Sequence, residues 1–181
     1  MPRSLAEGRT KLALFPTKPA DLNALTAADL NAALDASCRI LGSDYSVGAA
    51  ASETVDERAL CTDSNAQALG VSNYTFEITS FRYFNADGTA EEASAGGDDP
   101  DDVGDSVYQM LKTKGTTVWA AERFTSKKSR EDWEAGDEYS WYEVLLDNPQ
   151  ASERTGYIKA RHVGLVQDAG LDLKVAAGAG G

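Results

Sequence analysis

Cysteine and histidine are scarce in this sequence, and their scarcity excludes several kinds of chemistry. The chain of 181 residues has two cysteines, Cys38 and Cys61, and one histidine, His162. The cysteines are too far apart for a C-x-x-C pair, and one histidine cannot complete a Cys/His zinc site with them. Because disulfides are rare in reducing compartments, we expect two buried thiols. The sequence predicts no metal and no cofactor.

Long apolar runs are missing as well. No run approaches the roughly 18 residues that a membrane-spanning helix needs, although hydrophobic residues make up 42% of the chain. The first ten residues lack the apolar core of a secretory signal. We therefore expect folding in a cytoplasm and no membrane partner. The length fits one domain with a single core.

Basic residues are outnumbered, with 17 Lys and Arg against 29 Asp and Glu and a formal net charge of −12. Nucleic-acid binding depends on cations that neutralise phosphates, so this balance argues against a nucleic-acid-binding protein. An acidic protein would suit a duct through which nucleic acid slides without sticking. Charge by itself favours the simpler interpretation, which is solubility.

Recognisable catalytic and nucleotide-binding motifs are also absent. The sequence has no G-x-x-x-x-G-K-[ST], no G-x-G-x-x-G and no G-x-S-x-G. We interpret His162 as a structural or exposed histidine rather than a general base. The acids from Asp98 to Asp105 do not follow a calcium-binding loop, and helix capping accounts for Asp99 to Asp102 without a metal. The sequence therefore predicts no catalytic, cofactor-binding or metal-binding residues, and we expect no enzymatic activity.

What the sequence does contain is a set of segments rich in β-branched and aromatic residues, which is typical of strands. In residues 74–84 the alternation slips near Ser80, which predicts a bulge or a bend. Two later segments flank a hairpin-like loop at 147–153. The predicted strands are 11–15, 34–41, 74–84, 115–124, 139–146 and 157–165.

Helical signals are fewer. Thr26 and Asp29 form a capping-box pattern that predicts one or two helical turns over residues 27–32. Asp99 and Pro100 are typical of a helix start, and the following apolar spacing predicts a helix over about 100–113. The segment 42–72 is small and polar and reads as a long loop. These elements predict an α+β chain that is mainly antiparallel sheet.

Three segments complete the predicted organisation: a flexible N-terminal arm at 1–10, one β-domain at 11–168, and a flexible C-terminal tail at 169–181. A charged loop at 125–137 carries a local basic patch, formed by Lys127, Lys128 and Arg130.

Aromatic residues offer the main alternative to a purely structural protein. Those on candidate strands are typical of core packing, whereas Trp133 lies in a loop and is the better candidate for an interface. The same rings could form a platform on which a carbohydrate stacks. The residues concerned are Trp119, Trp133, Trp141, Tyr139, Tyr142 and Tyr157.

Several segments together resemble the major tail tube proteins of long-tailed (siphovirus-like) bacteriophages. The similarity covers roughly residues 10–168, and the order and spacing of the segments carry it. The longest matching stretch is 142–150 running into 154–159. The other segments are 43–48, 52–61, 72–76, 81–84, 111–117 and 134–137.

The resemblance implies a β-sandwich or partly closed barrel with one flanking helix. It also implies hexameric rings that stack into a tube, through which DNA passes without specific binding. The long loop at 42–72 and the termini would then contact neighbouring rings, and strands joined edge to edge would line the lumen. Partners would be the tape measure, terminator and baseplate proteins, with assembly in the host cytoplasm and a final place in the virion tail.

Three rival functions remain open at this point. The nearest is a terminator or baseplate protein that forms one ring and stops. A carbohydrate-binding module would use Trp133 and the tyrosines. An enzyme centred on His162 is the most distant.

Overall fold

The computed structural model describes residues 6–55, 61, 68–93 and 103–178, and they form ten strands and two short α-helices. Two turns of 3-10 helix, Ser37–Arg39 and Gly42–Asp44, join the early strands. The helices are α1 (Ala27–Ala32) and α2 (Ser106–Leu111). The strands are β1 (Thr10–Phe15), β2 (Leu34–Asp35), β3 (Ser46–Ala50), β4 (Thr54–Val55), β5 (Ala68–Leu69), β6 (Asn73–Phe81), β7 (Thr117–Phe124), β8 (Glu138–Leu146), β9 (Gln150–Ala151) and β10 (Lys159–Lys174).

Eight of these strands form one antiparallel sheet in the order β2-β1-β7-β8-β10-β6-β3, with β9 paired to β10. Strands β4 and β5 form a separate antiparallel pair. The predicted α+β class with mainly antiparallel sheet is therefore confirmed. The sheet is open, because its end strands β2 and β3 do not pair with each other.

The central strands bury both of their faces. Successive side chains of a strand point to opposite faces of the sheet, and Val144 and Trp141 of β8 accordingly enter two different clusters. Val107 and Leu111 of α2 cover the Val144 side. The loop around Leu25, together with Trp133, covers the other side. The core thus lies on both sides of one sheet.

Helix α1 begins as the sequence predicts. The Asp29 amide donates to Thr26 Oγ1 at 3.2 Å, and the Thr26 amide donates to Asp29 Oδ2 at 3.0 Å. These bonds satisfy two amides at the helix start. The Thr26 hydroxyl, which donates to Asp29 Oδ2 at 2.6 Å, and the Thr26 amide lower the pKa of the Asp29 carboxyl. Leu30 is buried in the core. The prediction of a helix over 27–32 is confirmed.

Helix α2 is shorter than the predicted 100–113. Residues 99–102 lie outside the described part of the chain, and α2 begins only at Ser106. Gly104 before it has a left-handed φ of 52°. Asp105 is the N-cap residue, yet its side chain caps no helical amide because Arg82 and the Tyr83 amide engage its carboxylate. The left-handed backbone at Gly104 is not α-helical, so α2 does not extend through this residue toward the predicted start.

Two early predictions are wrong in detail. Only Leu34 and Asp35 of the predicted strand 34–41 form a strand, because Ser37 donates to the Asp35 carboxylate and the chain turns into 3-10 helix. The predicted loop at 42–72 contains β3, β4 and β5, which its small residues did not reveal. Residues 56–60 and 62–67 of that loop lie outside the described residues.

The C-terminal region is also more ordered than predicted. Strand β10 has 16 residues and continues to Lys174, pairing with β8 through two irregularities, at Val166/Asp168 and at Gly170/Leu173. Val175 after it is 3% exposed and belongs to the core. The predicted flexible tail from 169 is therefore wrong for the residues up to 175, because their backbone completes the ladder with β8.

Gly164 of β10 provides a test of this central packing. A Cβ atom at Gly164 would lie 2.1 Å from Val144 Cγ1 and 3.3 Å from Phe76 Cδ1. We expect Gly164→Ala to lower the free energy of unfolding by about 1–3 kcal/mol, because the neighbours must shift to admit a methyl group. Urea unfolding followed by tryptophan fluorescence measures this change.

Gly42→Ala is the matched control, since a Cβ there would meet no atom within 4 Å. We expect its unfolding free energy to stay within about 0.5 kcal/mol of the parent. Equal destabilisation by the two substitutions would contradict the packing argument.

Candidate assembly surfaces

The sheet ends in an edge strand on the β3 side. Residues Ser46–Ala50 pair with β6 along one side only, and no described strand pairs with the other side. An edge of this kind presents backbone amides and carbonyls that can pair with another chain. At the other end of the sheet, β2 offers only two residues. Of the two end strands, β3 therefore offers the longer unpaired edge.

A hairpin arm extends from this edge. We use that name for residues 46–55 and 68–77, whose backbones pair from Ser46↔Glu77 outward to Val55↔Ala68. Between the two ladders, the Gly70 amide donates to the Glu53 carbonyl at 2.7 Å. Leu69 is 81% exposed and Val71 is 67% exposed. The arm therefore carries large apolar side chains in solvent.

A second exposed apolar patch lies where β6 ends and β10 begins, and we call it the corner patch. It consists of Phe81, Tyr83, Tyr157 and Ile158. Tyr157 is 81% exposed and Ile158 63%, and the ring of Tyr157 meets Phe81 edge-on at 6.1 Å between centroids. The Arg82 amide donates to the Ile158 carbonyl at 2.9 Å, which fixes the segment to β6.

The face of β6 opposite the core is polar. Phe76 points into the core, so its neighbours Thr75 and Glu77 lie on the other face. Ser46 of β3 lies opposite Glu77 and is exposed. Arg161 of β10 forms an ion pair with Glu77. This part of the sheet thus presents a partly exposed polar surface in which the charge of Arg161 is neutralised.

His162 is fully buried, which favours its structural interpretation over an exposed one. Its Nε2 atom lies 2.9 Å from Ser80 Oγ, and Tyr108 of α2 meets the ring edge-on at 5.6 Å. Nδ1 makes no hydrogen bond of standard geometry, although the Leu111 backbone favours the charged ring. Burial, with a smaller repulsion from Arg82, lowers the pKa of His162 to about 4.

The structure thus brings together a serine and a histidine that lie far apart in the sequence. Ser80 and His162 are both 0% exposed, so no substrate reaches either group from solvent. No carboxylate accepts a hydrogen bond from Nδ1 in the described structure, as a catalytic triad would require. The pair also explains the slip in pattern near Ser80. Strand β6 passes Ser80 in unbroken register with β10 instead of forming the predicted bulge, and Thr79 and Ser80 are both buried.

In the acidic segment 98–105, Asp105 holds neighbouring groups together instead of binding a metal ion. Asp105 is buried and accepts from Arg82 Nε at 3.0 Å, from Gln109 Nε2 at 2.8 Å and from the Tyr83 amide at 3.0 Å. These bonds hold the pKa of its carboxyl below the usual value although desolvation opposes them. Asp98, Asp99, Asp101 and Asp102 lie outside the described residues. Within the described ranges no three His, Cys, Asp or Glu side chains are placed to bind a metal ion.

One cation of the predicted basic patch in the loop at 125–137, Lys127, is neutralised by two carboxylates. Lys127 Nζ lies 2.8 Å from Asp137 Oδ1 and 2.7 Å from Glu134 Oε2, and these carboxylates raise the pKa of the lysine. The loop folds around Arg123, whose guanidinium is fully buried. Arg123 donates to Asp137 at 3.0 Å and to three backbone carbonyls, those of Lys128, Glu131 and Asp132.

Trp133 is part of the core, so its prediction as an interface residue is wrong. It is 2% exposed, and its backbone exchanges two hydrogen bonds with the Asn31 side chain, at 2.9 and 3.1 Å. The Arg123 guanidinium lies 5.0 Å from its ring. Trp141, Tyr139 and Tyr142 are buried as the strand pattern predicts. A carbohydrate platform based on Trp133 is therefore excluded, because the ring is not accessible.

The remaining expectations concern thiols and membranes. Cys38 and Cys61 are both exposed, so the prediction of buried thiols is wrong. Cys38 lies on the 3-10 turn that replaces the predicted strand, which explains its exposure. Among the described helices, none is long and apolar enough to cross a membrane.

Comparison with protein-family models gives one match that spans nearly the whole chain. Residues 1–179 match the model described as phage tail tube protein. Among curated proteins, none matches this chain.

Burial of His162 predicts a specific loss of stability in acid. The folded chain holds the ring neutral with a pKa of about 4, whereas the unfolded chain takes up the proton near pH 6.5. Stability is therefore full above pH 6.5 and falls as the pH drops toward 4, by about 3 kcal/mol. Urea unfolding at intervals across this range measures the loss.

His162→Gln is the comparison variant, because an amide can still bond to Ser80 without titrating. We expect its stability to change less between pH 6.5 and 4. Asp105 and Asp137, whose pKa values are lowered in the fold, titrate in both proteins and cancel in the difference. Parallel curves for the two proteins would show that His162 is not the source.

Proposed function

The chain belongs to the phage tail tube protein family and is a structural component of the virion tail, and from this premise we propose that it builds the tube by self-assembly. In this proposal the subunits form hexameric rings that stack without limit. The resulting tube is the conduit through which the genome leaves a long-tailed virion.

The observation that carries the proposal is the unpaired edge of β3 together with the hairpin arm that continues it. Ser46–Ala50 can accept a strand from a neighbouring copy, which would extend the sheet across subunits. An isolated protein that exposes both an edge and apolar side chains such as Leu69 is prone to association. In a tube, neighbouring subunits would cover both features.

The charge distribution supports a passive conduit. A net charge of −12 repels DNA phosphates, so DNA would pass without specific binding. The polar face of β6, which carries Thr75 and Glu77, is a candidate lining for the lumen. Its one neighbouring arginine, Arg161, is already paired with Glu77. Because Glu77 neutralises Arg161, a lining of this kind would not offer the charge of Arg161 to the DNA phosphates.

We propose that the protein has no enzymatic role. The geometry that comes nearest to a catalytic pair, Ser80 with His162, is sealed inside the core. Its proposed partners are other copies of the chain and the tape measure, terminator and baseplate proteins. Assembly would take place in the host cytoplasm before the tail joins the virion.

Negative-stain electron microscopy of the concentrated protein tests the proposal. We expect hollow tubes of uniform width, because complementary top and bottom faces let stacking continue. Analytical ultracentrifugation of the same samples should show large species that grow with concentration. Single rings that never stack would instead support a terminator or baseplate role, and a monomer at every concentration would contradict self-assembly.

A further inference from the structure

The arm and the corner patch, two exposed apolar surfaces of the described structure, lie at opposite ends of the same strand. The arm patch, Leu69 and Val71, precedes the start of β6, and the corner patch adjoins its end at Phe81. Strand β6 has nine residues, which span about 27 Å at roughly 3.3 Å per residue. The patches therefore cannot contact each other within one copy. They can meet only between two copies, arranged either head to tail or as a two-fold antiparallel pair.

The charges around the two patches have opposite signs. Glu53 is exposed on the arm and pairs through its backbone with Gly70 and Val71. Arg154 and Lys159 lie within three residues of Tyr157 in the sequence, with the exposed Glu153 next to Arg154, and neither cation forms an ion pair with any described residue. In a chain with a net charge of −12, uncompensated cations beside an exposed apolar pair favour an acidic partner surface.

The corner patch is also held in place before any partner arrives. Tyr157 packs edge-on against Phe81, and the Arg39 guanidinium lies 3.9 Å from the centre of the Tyr83 ring. The Arg82 amide anchors Ile158 to the end of β6. Aromatic groups fixed in this way bind with a smaller loss of conformational entropy, and Tyr and Arg are enriched at the energetic centres of interfaces.

We propose that the arm patch of one copy, Glu53 with Leu69 and Val71, docks on the corner patch of the next copy, with Tyr157 and Ile158 at the centre of the contact. The occupant of each patch is a second copy of this chain. We assign a heterologous contact rather than a two-fold one because the proposed stacking has to continue, and each docked copy then leaves one arm and one corner exposed for further addition. This inference rests on the proposed self-assembly. It names the two surfaces, at the opposite ends of β6, through which successive copies join.

Cysteine cross-linking between two differently labelled copies tests the contact without requiring complete tubes. In a background in which Cys38 and Cys61 are serine, one protein carries Leu69→Cys and the other Tyr157→Cys. The two are mixed, oxidised with copper phenanthroline and separated on non-reducing gels. We expect the mixed dimer to form at least several times faster than either homodimer, because the arm faces the corner and not another arm.

Phe124→Cys, mixed with Leu69→Cys, is the matched control. Phe124 is 64% exposed, similar to Ile158, but lies at the end of β7 outside both patches. A mixed dimer between Leu69→Cys and Tyr157→Cys that forms no faster than this control overturns the proposal. Preferential homodimers of either patch variant also overturn it, since they indicate a symmetric contact.

Charge reversal tests the polar part of the same contact. We expect Glu53→Lys, added to the Leu69→Cys protein, to slow the mixed cross-link. Replacing both Arg154 and Lys159 with Glu in the Tyr157→Cys protein should restore it. No rescue in the double-reversed pair overturns the charge assignment. Tubes formed by the parent protein without this cross-link would leave the proposed function standing and refute only the docking surface.

Discussion

The backbone ladder of β10 is the constraint on which the rest of the structure depends. Its 16 residues pair with β6 over the first part and with β8 over most of the length. The two halves of the sheet are therefore joined through one strand. Gly164 sits where both partners pair at once, opposite Phe76 and Leu146. The absence of a side chain there lets Val144 and Phe76 close over the strand.

Buried ionic groups organise the loops around this sheet, and none of them forms a reactive site. Arg123 gathers the loop at 125–137 by bonding its carbonyls and Asp137. Asp105 ties α2 to the end of β6 through Arg82. Breaking a buried pair of this kind leaves an uncompensated charge, which is strongly destabilising. The buried ion pairs Arg123–Asp137 and Arg82–Asp105 thus hold segments of the chain in place.

The exposed features form a consistent pattern for a structural subunit. An unpaired edge at β3, apolar side chains on the arm and an aromatic corner all lie on the β6 side of the sheet. A protein that acted alone would expose these groups to no benefit, because open edges and apolar patches promote association. Membership of the tail tube family accounts for these exposed groups, since such a protein works through contacts with other copies.

Local signals predicted the elements whose stability is local. The capping box at Thr26 and Asp29 located α1, and alternation in 117–124 and 139–146 located β7 and β8 closely. Trp133 could not be placed in this way. Its burial depends on Arg123, which lies on β7, and on Asn31, which lies on α1. A loop residue carries no periodicity that would report such contacts.

By itself, the sequence determined the antiparallel α+β class, the acidic charge, the missing catalytic motifs and the resemblance to tail tube proteins. These follow from composition, period-two patterning and the order of segments. Only the tertiary structure decided the length of β10, the late start of α2, the burial of Trp133 and the exposure of both cysteines. The length of β10 and the burial of Trp133 depend on groups brought together across the chain, such as Trp133 with Asn31. A tertiary contact can outweigh the local conformational preference of the segment that makes it.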